Sequence, residues 1–517
     1  MTPTTGSAGG PRVVLRRAVL FFLALAAVLP PGPAAAQTCD RSGCGLIACG
    51  TPARPVPQSY WGELQPADPN PLPLLRDATA FDQFGPPPQN LYSLANWYMG
   101  VDPQNGYLFT AMGYGLDVWG LRTHPDNPEL LGKLSYTSFP VWVDDGEEKL
   151  PLQDVAAPPG VDSIAAMAGR VGIGLAIVDL TEKTAPRILY QSYKKNGEEV
   201  YAATLGGQPY AFLAASGGTP GGGVFAYDMN QARQYFGCAE SAPAAGDPGS
   251  CPGVYLGKIG NRSSVSFIHG VDNFIVFSSG ALGGLEIWNV ADPRNPRQLL
   301  STFDEPPVCT YDLRAIHGVA MWKGATGRYY LGLRKEKYSC AQQRAVNEAQ
   351  IYDVTCNLAG TCNSLRSPIF SQELNTGTPT YFVTFSTSNG TPYLYYGSDD
   401  KCRGGSQREW LFDVSNPASP RDITPRTGYW GWYYRGGSTG FNGVMPRRAK
   451  FYNEYLYRAG LSILDVHRHT VGVPPTAGFT WPPGEIYPGN PVFFQDTSSA
   501  SPSTWTWTFN DAPPPHP

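Results

Sequence analysis

Charge is scarce in this chain. Lys, Arg, Asp and Glu make up only 15% of its 517 residues, and 38 basic against 42 acidic side chains leave a formal net charge of −4. No basic stripe accompanies that balance, so the phosphate-neutralising surface of a nucleic-acid binder is missing and nucleic acid is not expected as a partner. Histidine is scarcer still, with six in all, so a catalytic set would have to be assembled from distant segments. No Gly-rich phosphate loop, zinc-protease His pair or nucleophile elbow occurs. No catalytic residue, cofactor or metal is therefore assigned. The acidic run Asp144-Asp145-Gly146-Glu147-Glu148 lacks the alternation of a calcium loop and reads as solvated, as does Asp399-Asp400. Long helical periodicity is absent. The one pronounced apolar run, residues 18–29, is too short to span a membrane as a helix, so no transmembrane segment is expected in the mature chain.

Turn formers and aromatics are abundant. Gly 59 and Pro 50, beside 42% hydrophobic and 12% aromatic residues, suit an all-β protein with many tight turns, and the length exceeds a single ordinary core. Residues 1–36 read as a signal peptide. Arg12, Arg16 and Arg17 precede the apolar run, Pro30-Pro31-Gly32-Pro33 breaks it, and Ala34-Ala35-Ala36 supplies the small residues a signal peptidase accepts before Gln37. Removal leaves 35 basic against 42 acidic side chains, a net charge of −7. Export to the extracellular space or cell surface is expected, with the periplasm as the other destination. Leu46-Ile47-Ala48-Cys49 looks like a lipoprotein box but lies well past the apolar run, and Arg16-Arg17 fits a twin-arginine signal only weakly.

Ten cysteines in an exported chain read as disulfides. Cys238 and Cys251 bracket a Pro/Gly/Ala loop and Cys356 and Cys362 a tighter one, so both pairs are expected as local staples. The pairing of Cys39, Cys44, Cys49, Cys309, Cys340 and Cys402 is left open by the sequence. A zinc site at Cys39, Cys44 and Cys49 lacks a nearby fourth ligand.

A hexamer recurs through the chain. Its copies begin at Leu116, Leu175, Val224, Leu285, Ala349, Glu409 and Leu461, and their fifth positions are Gly120, Asp179, Asp228, Asn289, Asp353, Asp413 and Asp465, spaced 49 to 64 residues apart. Such spacing marks a repeat array. Upstream of each copy lies a hairpin-like apolar run, as at Ser266 to Phe277. Downstream, the Asp or Asn can bond its own backbone and end the strand, and prolines then prevent continuation, as in Asp292-Pro293-Arg294-Asn295-Pro296. A strand after those prolines makes four per unit. Four-stranded antiparallel sheets repeated radially are propeller blades, so a seven-bladed β-propeller is expected.

The Leu-x-Ile-Val-Asp-Val pattern followed by Asp-Pro-x-x-Pro resembles the LVIVD-repeat β-propellers of secreted bacterial proteins over residues 90–470. Leu175 to Leu180, Leu285 to Pro296 and Leu411 to Pro420 carry the match. The first copy departs at Gly120, the third lacks the downstream prolines and the fifth carries a long insertion. After Asp465-Val466 no outer strand follows. Part of the Pro-rich lead, residues 37–89, is therefore expected to close the last blade, within Pro55 to Leu64. Residues 475–517 resemble the first half of a PKD domain, an immunoglobulin-like β-sandwich, through Trp507, Phe509 and Asp511, with Asn510 where Gly is usual. The chain stops before a second half, so that module reads as partial.

Residues that could carry function lie outside the repeat punctuation. Asp312, Arg314 and His317 fall where an innermost strand would begin, near a channel mouth. Trp430, Trp432, Tyr434 and Arg435 belong to the densest aromatic cluster, and Arg447 enters the same blade. Exposed rings beside arginine offer stacking area at small entropic cost. The bland reading, a channel-rim histidine and aromatics filling space between blades, is kept beside the functional one. His269 is expected in a hairpin turn, and His467 and His469 in a linker. Both resemblances imply a binding or interaction protein that recognises an extracellular protein or a glycan. The competing class is a secreted polysaccharide-active hydrolase or lyase with its site at the channel mouth.

Overall fold

In the computed structural model the described residues are 64–66, 100–112, 115–123, 125, 128–135, 138–140, 152–169, 173–193, 196–217, 222–241, 250–279, 283–302, 316–339, 344–374, 380–398, 410–423, 446–460, 463–469, 479–480 and 495–496. They form an all-β propeller. A strand β1, Leu64–Pro66, precedes the first sheet of β2 (Val101–Gln104), β3 (Tyr107–Met112), β4 (Gly115–Gly120) and β5 (Glu129–Ser135). The second sheet begins with β6 (Leu152–Ala156), β7 (Ile164–Gly169), β8 (Gly174–Asp179) and β9 (Arg187–Tyr193). The third holds β10 (Asn196–Leu205), β11 (Gln208–Ser216) and β12 (Gly223–Asp228). After β12 come a short helix α1 (Met229–Ala232), β13 (Cys238–Ser241) and the third sheet's outer strand β14 (Tyr255–Ile259).

The fourth sheet is β15 (Phe267–Val271), β16 (Phe274–Ser278), β17 (Leu285–Asn289) and β18 (Arg297–Ser301). The fifth is β19 (Ile316–Lys323), β20 (Tyr329–Ser339), β21 (Arg344–Asp353) and β22 (Phe370–Glu373), with a one-turn helix α2 (Thr355–Leu358) before its outer strand. The sixth is β23 (Thr380–Ser388), β24 (Thr391–Ser398), β25 (Trp410–Asp413) and β26 (Arg421–Asp422). The closing sheet has β27 (Pro446–Tyr452), β28 (Tyr455–Gly460), β29 (Ile463–His469) and, on its outer edge, β1.

Six of these sheets are four-stranded antiparallel blades, where seven were expected from the repeats. The second sheet departs from the pattern because β13 pairs parallel to β9, with Cys238 opposite Tyr190 and Ser241 opposite Tyr193, and gives it five strands. The cause lies in the third repeat. Asp228 is followed by no proline, so the chain enters α1, where the Asp228 side chain caps the N–H groups of Asn230 and Gln231. It then crosses to the neighbouring sheet's edge before returning to β14 through the Cys238–Cys251 disulfide.

Each innermost strand stands beside the next, β2 by β6, β6 by β10, β10 by β15, β15 by β19, β19 by β23, β23 by β27, and β27 again by β2. The ring closes between the first and last sheets. Burial explains why the strands are apolar on both faces: β7 turns Ala165 and Met167 toward the first sheet's core and Ile164, Ala166 and Ala168 toward the third sheet's. Inner hairpins are tight. Asn105-Gly106 and Asn389-Gly390 hold positive φ at both central positions, the conformation a two-residue turn of type I′ needs to match strand twist. The third strands end as the sequence implies. Asp179, Asn289, Asp353 and Asp413 each accept the backbone N–H two residues on, at 2.9 to 3.0 Å.

Three expectations are corrected. His269 lies within β15, because the turn falls at Asp272-Asn273, where Asp272 has φ 49. His467 and His469 belong to β29 rather than a linker, their backbones opposite Pro66 and Leu64. The outer strand that pairs with them is Leu64–Pro66, which shares only Leu64 with the expected Pro55 to Leu64 and runs on past it. The Cys356–Cys362 disulfide is also formed. Of residues 475–517 only Phe479–Thr480 and Gln495–Asp496, one paired two-stranded unit, are described; Trp507, Phe509 and Asp511 lie outside the described residues, as do residues 1–63. Among the described residues no helix is long and apolar enough to cross a membrane.

Because β1 covers the free edge of β29, a chain shortened to begin at Asp68 is expected to lose about 2 kcal/mol against one beginning at Tyr60, as the cost of a few unmade backbone hydrogen bonds. The urea midpoint of the two chains checks this, and equal midpoints would remove β1 from ring closure.

Candidate functional site

The innermost strands carry a chain of polar contacts from sheet to sheet. Asp102 on β2 accepts the N–H of Ala157, just past β6, at 2.7 Å. Asp154 on β6 accepts from Val200 on β10 at 3.0 Å, and Glu199 on β10 accepts from Ile268 on β15 at 2.8 Å. The Nδ1 of His269 on β15 accepts from Met321 on β19 at 3.2 Å, and the Ser386 hydroxyl on β23 accepts from Phe451 on β27 at 2.7 Å. At each of these five junctions a backbone N–H at the inner end of one sheet is satisfied by a side chain of the preceding sheet.

Two cations of the last inner strand meet the first three carboxylates. Arg448 and Lys450, two apart on β27, share a face. Arg448 reaches Asp154 at 3.1 Å and Glu199 at 2.6 Å, and Lys450 reaches Asp102 at 2.6 Å. Asp102, Asp154 and Glu199 are only 3%, 3% and 7% exposed. Burial pushes the Asp154 carboxyl up against the pull of Arg448, and burial with the Asp154 charge pushes Glu199 up to about 7 despite Arg448. A carboxyl titrating near neutrality is a general acid or base by chemistry. Here, however, both Glu199 oxygens are engaged, one by Arg448 and one by the Ile268 N–H. The arrangement is therefore a closure device first.

A second feature lies where the third repeat's insertion meets the second sheet. A cavity of about 460 Å³ is lined by Asp179, Thr181, Arg187, Leu189, Arg233, Gln234, Tyr235 and Phe236. Asp179 accepts the Thr181 N–H and hydroxyl at 3.0 and 2.6 Å, while Arg187 reaches its other oxygen at 2.8 Å. Partial burial pushes this carboxyl up, but the Thr181 and Arg187 contacts together hold it below its usual range. Arg233 donates to Ser163 at 2.7 Å and lies 3.9 Å from Asp179. Phe236 is 73% exposed, with the Arg187 guanidinium 5.6 Å from its ring centre. The Tyr235 hydroxyl donates to Pro252 O at 2.9 Å, tying the stretch to the disulfide loop. Tyr190 donates to Glu240 and helps to anchor β13 on β9.

Of the residues singled out from sequence, His317 lies on β19, 8% exposed, with the Phe267 ring edge-on at 6.0 Å. Arg447 lies on β27 beside Arg448. Asp312, Arg314, Trp430, Trp432, Tyr434 and Arg435 lie outside the described residues. Sequence reasoning missed Asp102, Asp154, Glu199 and Lys450. Their signal was present, since each acid sits on the first strand of its unit, but the repeats were aligned on their third strands. Arg233 and Phe236 were missed because the insertion was read only through its cysteines.

No family model and no curated protein matches the chain. Among solved structures it is similar to the WD40 domain of Toxoplasma gondii coronin, at 13% identity over 71% of this chain and 79% of that one, with a TM-score of 0.43. It is also similar to the periplasmic gluconolactonase of Pseudomonas aeruginosa, at 12% identity over 63% and 84%, TM-score 0.41. An ancestral GH74 enzyme shares 13% identity over 73% of this chain and 48% of that one, TM-score 0.45. At these scores none of them bears on activity.

Replacing Arg448 by Met strands two buried carboxylates and should cost about 3–5 kcal/mol at pH 7.5 in a urea titration. Asp154 and Glu199 titrate above their unfolded values, so protonation favours the fold, and the deficit should shrink as pH falls below about 7. His269 has the opposite sign. Burial and the Lys450 and Arg448 charges push its imidazole down to about 3, so its contribution is present above about 6.5 and lost as pH falls toward 3, by about 5 kcal/mol at most. Gln can still accept the Met321 N–H. The melting-temperature gap between His269→Gln and the parent should accordingly be smaller at pH 4 than at pH 7, and a constant gap would show that His269 does not titrate this way.

Proposed function

We propose that this chain is an exported binding protein that uses its propeller to recognise an extracellular glycan or protein. In this reading residues 1–36 are a signal peptide, 37–89 a lead that helps to close the ring, 90–470 an LVIVD-type propeller and 475–517 a partial PKD-type module. Its destination is the extracellular space or cell surface, with the periplasm as the alternative. The observation that carries the reading is the insertion pocket: an exposed Phe236 and two arginines around a satisfied Asp179, with Arg233 and Phe236 on the stretch that leads into the Cys238–Cys251 disulfide. A concave site with an exposed ring and a few placed polar groups suits ligand binding. Trp430, Trp432, Tyr434, Arg435 and Arg447 would form a second contact surface, and Asp312, Arg314 and His317 a third.

The second reading is a polysaccharide-active hydrolase or lyase acting at the channel, favoured by the near-neutral Glu199 beside Arg448. Against it stands the commitment of both Glu199 oxygens to the next sheet and to Arg448.

One experiment separates the two. The mature chain is screened on a glycan array and by capture of extracellular proteins, with polysaccharide-degradation assays alongside. Phe236→Ala is expected to weaken the ligand found at least tenfold with an unchanged melting temperature, since this ring contributes little to the core. Turnover abolished by Glu199→Gln or His317→Ala, in proteins of parental melting temperature, would overturn the binding reading.

A further inference from the structure

We infer that the insertion pocket takes a carboxylate-bearing sugar, a uronic acid residue within an acidic polysaccharide; this rests on the binding reading above and names its ligand class. The molecule supplies its own control. In the sixth sheet Arg421 pairs with Asp413 at 3.4 Å, and the two residues stand opposite each other in register, as do Arg187 and Asp179 in the second. In both sheets the Asp also caps its turn. An Asp–Arg pair at this position is thus turn architecture. What the second sheet adds comes from the insertion alone: Arg233, Gln234, Tyr235 and Phe236.

The added groups have a definite chemistry. Two guanidiniums face one carboxylate, and that carboxylate is filled by Thr181 and Arg187. The pocket therefore carries a surplus positive charge. Arg233 spends its NH2 on Ser163, and its NH1 is 3.9 Å from Asp179, beyond hydrogen-bond length. Its remaining N–H edge makes no hydrogen bond among the described residues and is the planar fork that a carboxylate matches. Beside it Phe236 presents a ring that is 73% exposed, a platform for the apolar face of a pyranose. The Gln234 amide nitrogen donates to Gln231 at 2.9 Å, and its carbonyl oxygen is left as an acceptor for a sugar hydroxyl. Charge, ring face and hydroxyl acceptor within one cavity of about 460 Å³ are the three features that a uronate displays together. An acidic peptide shares the charge but has no ring face for Phe236.

Titration calorimetry on the full chain tests this with tetragalacturonate, its methyl ester, a neutral galactose tetramer and polyglutamate. Tetragalacturonate is expected to bind, more weakly as salt is raised, and esterification should weaken it at least tenfold. Arg233→Gln and Phe236→Ala should each weaken binding at least tenfold. Arg421→Gln, at the equivalent pair outside the pocket, should leave it unchanged. Circular dichroism and melting temperature confirm that each variant folds. Ester or neutral tetramer binding as well as the acid would overturn the carboxylate assignment and leave the binding reading intact. Polyglutamate binding without tetragalacturonate would overturn it in favour of a peptide. Binding unaffected by Arg233→Gln would place the ligand elsewhere. If none of the four binds while the array and capture screen yields a Phe236-dependent ligand of other chemistry, only the uronate inference falls; if that screen is empty too, the binding reading falls with it.

Discussion

Ring closure is the constraint on which the rest of this structure depends. A radial stack of sheets has two free faces until its first and last members meet, and here that meeting is charged at the centre and covalently continuous with both ends of the repeat array. Arg448 and Lys450 of the last inner strand hold Asp102, Asp154 and Glu199 of the first three. At the rim, β1 pairs with β29, so the segment before the first sheet finishes the last. Desolvating three carboxylates is expensive, and pairing alone rarely repays it. The additional backbone N–H that each carboxylate accepts offsets part of that cost, because those N–H groups would otherwise be orphaned where sheet follows sheet.

Between the charged centre and the rim, stability comes from apolar faces pressed sheet to sheet. Strands such as β7 and β8 bury both faces, so they read as continuous apolar runs rather than alternating ones. A register shift recurs near the end of the third strand, at Val118/Trp119, Ile177/Val178, Ala226/Tyr227 and Ile287/Trp288. A bulge at that point increases local twist, which lets the outer strand turn away from the axis. The same local device repeated from unit to unit lets sheets of different sequence share one geometry.

What was legible in the sequence follows from the range of each interaction. The third strand could be read because its terminator is local: Asp179, Asn289, Asp353 and Asp413 bond two residues on, and after Asn289 and Asp413 prolines follow within four residues. The two disulfides close short loops and were readable for the same reason. The closure network was not, because Arg448 and Glu199 lie 249 positions apart in the chain and Lys450 and Asp102 lie 348 apart. His269 was placed in the hairpin turn itself, whereas the turn falls at Asp272-Asn273 and Asp272 adopts the positive φ. The count of four-stranded blades was misjudged because nothing local marks a strand that pairs in parallel with its neighbour's edge. β13 is short, lies between a helix and a disulfide, and acquires its identity only from β9.

The insertion also bears on where a repeat protein can place function. Positions common to the units, such as the Asp at the end of a third strand and the Arg opposite it, are held by turn geometry in more than one sheet and cannot be altered for a ligand without loosening a strand. New chemistry must come from a segment with no counterpart in the other units. The stretch from Met229 to Cys251 meets that condition, and it is fixed twice, by β13 on the second sheet and by its disulfide on the way back to the third. Arg187 has thereby acquired a second setting. Its contacts with Asp179 remain those of a turn, while Phe236 stacked against it and Arg233 across from it make the same guanidinium one wall of a cavity. A scaffold residue recruited in this way needs no change of its own, which is why the repeat pattern alone gives no sign of the pocket.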